Sequence, residues 1–141
     1  LPSFLTEADK IASARYRSKA RMPSLTWRSP TTRAVLARSA QPLVGLTGNR
    51  CAADERLLSL YRCYGDPVLA DTSRSEAKSA NLNDPPLELY IVDCRAKIAA
   101  LGNQTQGKGV ENTAHYANST LMYCNIGNIH TMRNSLAAMS E

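Results

Sequence analysis

Aromatic residues are scarce in this chain: one Trp, one Phe and six Tyr make up 6% of 141 residues. No interleaving of aromatic and basic side chains builds a stacking platform, so nucleic acid is not an expected partner. Histidine is limited to His115 and His130, and Cys51, Cys63, Cys94 and Cys124 lie 12, 31 and 30 positions apart with no C-x-x-C. That spacing argues against a zinc site, and no metal or other cofactor is expected. Long apolar runs are also missing, with nothing near the roughly 18 residues of a membrane helix. Residues 1–20 mix Glu7, Asp9, Lys10, Arg15, Arg17 and Lys19 without a continuous apolar stretch. No signal peptide is expected there, and the cysteines are read as reduced thiols of a cytosolic protein. The first residue is Leu, not Met, and the chain is read as a segment of a longer protein.

Apolar residues nevertheless make up 43% of the chain, enough for a globular core. Charge is divided unevenly. Residues 1–50 carry nine Lys/Arg against Glu7 and Asp9, a net charge of +7, whereas residues 51–141 carry eight against ten, a net charge of −2. A basic half points to an anionic partner.

Local patterns predict a mixed α/β order. Thr6 with Glu7 and Asp9 reads as a helix start, and a helix is expected over about 7–19, with Ala8, Ile11, Ala12 and Tyr16 on one face and Pro23 as its stop. Ser24–Arg28 alternates as a strand with Leu25 and Trp27 on one side, and 34–38 returns antiparallel to it. Leu57, Leu60, Tyr61 and Tyr64 recur at helical spacing after Asp54-Glu55. Residues 65–86 are polar and rich in Ser, Asp and Asn, which predicts a flexible insertion. Leu87–Val92 reads as a largely buried central strand ending at Asp93. A helix over 95–101 closes at Gly102 in the C′ position. Ser119–Cys124 reads as a strand, and Asn128 caps a last helix with Ile129, Met132, Leu136 and Met139 on one face.

Two motif tests come out negative. GNQTQGKG at 102–109 matches G-x-x-x-x-G-K, but Gly109 stands where a phosphate-binding loop has Ser or Thr to hold Mg²⁺, and the preceding strand ends too early. What remains is a glycine-rich stretch, 107–109, with accessible N–H groups and one ammonium. A cysteine-phosphatase loop needs Cys-x5-Arg, in which loop N–H groups and the Arg gather the phosphoryl oxygens. The sixth residue after each Cys is Leu57, Leu69, Ala100 or His130. No catalytic residue is therefore assigned within the chain.

Four segments in order carry a resemblance: YRSKARMPSLTW (16–27), AVLARSAQPLVGLTGNRCAADE (34–55), YIVDCRAKIAALGNQTQGKGVEN (90–112) and NIGNIHTMRNSL (125–136). Together they resemble the myotubularin family, phosphoinositide 3-phosphatases of the cysteine-phosphatase superfamily. The resemblance implies that residues 1–141 form the N-terminal portion of a myotubularin-type phosphatase domain. The implied fold is a partial cysteine-phosphatase-like α/β domain with a central mixed sheet flanked by helices, and only 65–86 lacks a counterpart. The Cys-x5-Arg loop would lie beyond residue 141, so the chain alone would be inactive. Asn103 and Asn128 match positions whose side chains reach the inositol phosphate, and Ile129 packs beside it. Asp93 and Arg95 would orient the strand end, and His130 would be structural. The parent would remove the 3-phosphate of phosphatidylinositol 3-phosphate, and of the 3,5-bisphosphate, with no metal. The alternative is a pseudophosphatase serving as a binding partner. The implied partners are a phosphoinositide headgroup, an anionic membrane surface bound peripherally, and other family members in homo- or hetero-oligomers. The implied location is cytoplasmic, on endosomal or other phosphoinositide-bearing membranes. Three positions depart from the family pattern: Ser24 for a usual Val in the core, Ala40 for Ser before Gln-Pro, and Val110 for a common Tyr.

Overall fold

A computed structural model of the chain describes residues 5–32, 34–63 and 88–140. The expected insertion at 65–86 and the position of Tyr64 lie outside them. Thr6 starts helix α1 (Glu7–Tyr16) with a reciprocal capping box, its hydroxyl accepting from the Asp9 N–H at 3.1 Å and its own N–H donating to the Asp9 carboxylate at 3.2 Å. The helix stops well before Pro23. The chain from Tyr16 to Arg21 is instead held against 40–43, passing through a 3₁₀ turn at Ser18–Ala20: Ser18 N–H donates to Gln41 O, Leu43 N–H to Tyr16 O and Ala40 N–H to Arg21 O, with an Arg17–Pro42 bridge between them. Lys19 and Ala20 take left-handed backbone, φ 56° and 54°, to make the exit turn. The buried face of α1 also differs from the expected one. Ile11 is 52% exposed, while Ser13 is fully buried, because this face meets a carboxylate of the next helix rather than an apolar surface.

Strands β1 (Ser24–Arg28) and β2 (Val35–Arg38) pair antiparallel, as the alternation predicts. A bulge at Thr26 changes the faces, however. Leu25 lies opposite Ala37 and Trp27 opposite Leu36, consecutive positions on β2, so Leu25 and Trp27 occupy opposite faces. Val35 and Ala37 turn to the core, and Trp27 and Leu36 turn to solvent. Ser24 is exposed as well, so its departure from Val costs no core position.

Helix α2 (Ala52–Arg62) supplies most of the core. Its Leu57, Leu58, Leu60 and Tyr61 pack with Leu5 and Tyr116, flanked by Val35, Ala37, Leu89 and Ile91. Strands β3 (Leu89–Arg95) and β4 (Ser119–Ile126) pair in parallel. β3 is half-buried, not fully buried: Leu89 and Ile91 face the core, and Tyr90 and Val92 are exposed. Near its end β4 carries one extra residue, since Asp93 pairs with Tyr123 but Arg95 with Ile126, and Asn125 takes φ 53° in the bulge. The pairings among the described residues therefore include both senses, but in two separate two-stranded ladders and not one mixed sheet.

Helix α3 (Lys97–Gly102) follows β3. Gly102 stays right-handed at φ −57°, the chain continues as a 3₁₀ turn over Asn103–Gln106, and Gly107 takes the left-handed conformation at φ 73° instead. Helix α4 (Ile129–Ala138) starts at Asn128 as the sequence predicts, and every one of its residues is exposed. No helix among the described residues is long and apolar enough to cross a membrane.

Candidate functional site

Two polar networks organise the chain around the C-terminal end of β3. The first centres on Arg17, whose side chain is fully buried. Its Nε donates to Asp54 Oδ1 at 3.0 Å and its Nη2 to Asp54 Oδ2, while Nη1 reaches Glu111 and the Ala40 carbonyl, the latter at 3.1 Å. Ser13 Oγ donates to Asp54 at 2.7 Å, and the Tyr116 hydroxyl donates at 3.4 Å. Burial opposes the Arg17 charge, but hydrogen bonds and attraction from Asp54 and Glu111 outweigh it and hold the guanidinium protonated. Burial also pushes Tyr16 up to about 12, helped by the Asp54 carboxylate. Of the nine cations in the basic half, Arg17 is thus an interior strut, not part of a solvated face. Arg15, Lys19, Arg21, Arg28 and Arg38 remain exposed.

The second network starts at Asp93, two residues before the end of β3. Arg95 Nε donates to Asp93 Oδ1 at 2.9 Å and Nη2 to Oδ2 at 2.6 Å, a forked pair that the residue spacing allows because both side chains lie on one face of the strand. Burial opposes the Asp93 charge, but the bonds from Arg95 prevail and hold the carboxyl below its ordinary range. Arg95 Nη2 also donates to Gly109 O at 3.1 Å, and Nη1 donates to Gln41 Oε1. Arg95 is spent on protein acceptors, in keeping with its expected role of orienting the strand end.

Asn103 is joined to this network: its Nδ2 donates to the same Gln41 oxygen at 3.4 Å. It is half-buried, in the 3₁₀ turn after α3. Asn128 lies two residues beyond Ile126, which pairs with Arg95. Its Oδ1 accepts from the N–H groups of His130 and Thr131, both at 3.0 Å, and among the described residues no acceptor is recorded for its Nδ2. Ile129 follows it, 78% exposed. Both asparagines therefore belong to segments that leave the C-terminal end of the parallel pair, the end at which open α/β sheets bind ligands. No hydrogen bond joins them directly.

The glycine-rich turn is more closed than its composition suggests. Gly107 N–H donates to Gln104 O and Lys108 N–H to Asn103 O, at 3.0 and 3.1 Å, while Lys108 O accepts from Gly45 N–H. Two of the three N–H groups at 107–109 are consumed inside the fold, so the turn is no phosphate cradle. A separate cavity of about 30 Å³ lies between Tyr16, Asn49, Glu55 and His115. It has room for water, and no candidate residue lines it. Gln41 and Glu111 stand within the segments that carry the resemblance, but their partners Arg95 and Arg17 are 54 and 94 positions away, beyond the reach of any local spacing.

An α/β chain with its polar networks gathered at one end of a parallel strand pair is compatible with part of a phosphatase-like domain. The family model of the myotubularin-like phosphatase domain matches residues 1–141, and the chain belongs to this family. It is 33% identical over 142 residues to the phosphatidylinositol-3-phosphatase myotubularin-1 of Arabidopsis thaliana, a match covering 100% of the chain and 15% of that protein. It is 33% identical over 141 residues to the myotubularin of Xenopus laevis, covering 100% of the chain and 20% of the relative. It is 34% identical over 141 residues to the phosphatidylinositol-3-phosphate phosphatase MTMR7 of Mus musculus, covering 100% and 18%. The chain thus spans a fifth or less of the length of these relatives.

Proposed function

We propose that the protein carrying this chain is a phosphoinositide 3-phosphatase and that the 141 residues form one wall of its headgroup pocket. The reaction uses a cysteine nucleophile outside this chain. Its thiolate attacks phosphorus, the bond to the inositol 3-oxygen breaks and that oxygen leaves with a proton. Water then cleaves the phosphocysteine to release phosphate. Asn103 and Asn128 donate amide N–H groups to the phosphorylated ring, and Ile129 packs beside it. An amide binds phosphate oxygens without a full counter-charge that would retain product. What carries the reading is the match of the family along the whole chain, with relatives named as phosphatidylinositol 3-phosphatases. The substrate is phosphatidylinositol 3-phosphate or the 3,5-bisphosphate, the latter following a relative in Pongo abelii named for it. The exposed cations of the basic half suit peripheral binding at an anionic membrane of the cytoplasmic or endosomal kind, alone or in oligomers with other family members.

The test uses the full-length protein with vesicles of phosphatidylinositol 3-phosphate, and vesicles of the 4-phosphate as control. Wild type is expected to release phosphate from the first alone. Asn103→Ala and Asn128→Ala should each lower kcat/KM about 10- to 100-fold, the worth of one hydrogen bond to a charged group at about 1.5–3 kcal/mol. Binding without release by the wild type would favour the adaptor reading. Unchanged turnover in both variants would remove the two asparagines from the site.

A further inference from the structure

Gln41 occupies an unusual place for an uncharged side chain. Its single amide oxygen accepts from Arg95 Nη1 on one side and from Asn103 Nδ2 on the other. Its backbone is pinned independently. Ser18 N–H donates to Gln41 O at 3.0 Å, the neighbouring Ala40 and Leu43 N–H groups are bonded to Arg21 O and Tyr16 O, and Pro42 is fully buried against the Arg17 bridge. Arg17 also grips the Ala40 carbonyl, so the buried ion cluster sets the backbone from which the Gln41 side chain projects. At the other end Arg95 is locked by Asp93 and Gly109. A guanidinium N–H can meet only the oxygen of an amide, which fixes how the Gln41 amide is turned. The oxygen is then offered to Asn103.

We propose that Gln41 is the positioning residue for Asn103, resting on the reading of Asn103 as a headgroup ligand. Both hydrogens of an Asn amide lie in one plane. Engaging one of them on Gln41 fixes the direction of the other, while the Asn103 Oδ1 stays available to a ring hydroxyl. The bond to Gln41 is long at 3.4 Å, so it orients Asn103 without competing strongly with a shorter bond to a phosphate oxygen. Gln41 touches no substrate and acts only through Asn103.

The test compares full-length wild type, Gln41→Met, Gln41→Glu, Asn103→Ala and the Q41M/N103A double variant. Methionine keeps length and volume but offers no oxygen, and glutamate restores the acceptor. Circular dichroism melts screen for intact folding, since the backbone contacts of Gln41 survive both changes. Q41M is expected to lower kcat/KM on short-chain phosphatidylinositol 3-phosphate about fivefold to tenfold, and to cost nothing further in the N103A background, the signature of action through one partner. Equal losses from Q41M in the wild-type and N103A backgrounds would overturn the proposal. A second measurement does not depend on turnover: crystal structures of the full-length variants. The Asn103 side chain is expected to leave its wild-type rotamer in Q41M and to keep it in Q41E, and an unmoved Asn103 in Q41M would overturn the proposal. Absence of release by the wild type would overturn the phosphatase reading alone, with the crystal structures still deciding Gln41.

Discussion

Arg17 enters the interior as a cation between two carboxylates, with its own side chain and that of Asp54 fully buried and Glu111 nearly so. One positive and two negative charges leave an excess that Ser13 and the Tyr116 hydroxyl spread by donating to Asp54. Such clusters are costly to assemble and costlier to break, because removing one member strands the others without water. Arg17→Met should therefore lower stability by about 3–5 kcal/mol, read as a shift of the urea midpoint of the full-length protein. The triple variant R17M/D54L/E111M should recover a substantial part of that loss, since no charge is left unpaired. If the triple variant were as unstable as the single one, the penalty would lie in lost packing and not in stranded carboxylates.

At the scale of elements, α4 poses a sharper question, because its cap and its proposed ligand contact come from one side chain. The Oδ1 of Asn128 holds the first turn, and the Nδ2 is the atom that the proposed substrate contact would use. Asn128→Asp separates the two. The carboxylate caps as well as the amide and favours the positive helix end, yet it repels phosphate. The variant is expected to keep the helix, with an unchanged melting temperature, and to lose turnover at least as severely as Asn128→Ala. Asn128→Ala should in addition cost about 1 kcal/mol of stability. Undiminished turnover in Asn128→Asp would reduce Asn128 to a cap. This cap was legible in the sequence, as were the Thr6 start of α1, the β1–β2 pairing and the apolar stripe of α2, because each is written within a few neighbouring residues. The bulges at Thr26 and Asn125 were not. A single extra residue in a ladder shows only against its partner strand, and it reverses which side chains face inward. The premature end of α1 was hidden for a related reason: residues 16–21 are claimed by 40–43, a partner no helical propensity foresees. In the candidate site, the roles of Asp93 and Arg95 came only with the family resemblance, because local pattern ends the strand at Asp93 and starts a helix at 95 whereas β3 runs on to Arg95; Gln41 joins Arg95 and Asn103 only across the fold.

Across the whole chain, the described residues place a core on one side of the parallel pair and exposed apolar side chains on the other. Leu89 and Ile91 of the parallel pair pack on α2, but Tyr90, Val92 and Met122 on the opposite face are exposed. Parallel strands are ordinarily covered on both faces, because their outward side chains are as apolar as the inward ones. Helix α4 adds Ile129, Met132 and Leu136, followed by Met139 at its C-cap, all more than half exposed. Exposed apolar surface of this kind drives association in water. The isolated 141-residue chain is accordingly expected to self-associate, giving by size exclusion with light scattering a mass above its 15.4 kDa that grows with concentration. Two carboxylates placed in the stripe of α4, Met132→Glu with Leu136→Glu, should shift the population toward monomer without touching the core, since neither residue packs against it. Association that survives these changes would assign the contact to the outer face of β3 and β4, where Val92→Thr with Met122→Thr is the matching variant. A wild-type chain that stays monomeric and melts in one sharp cooperative step would overturn this expectation.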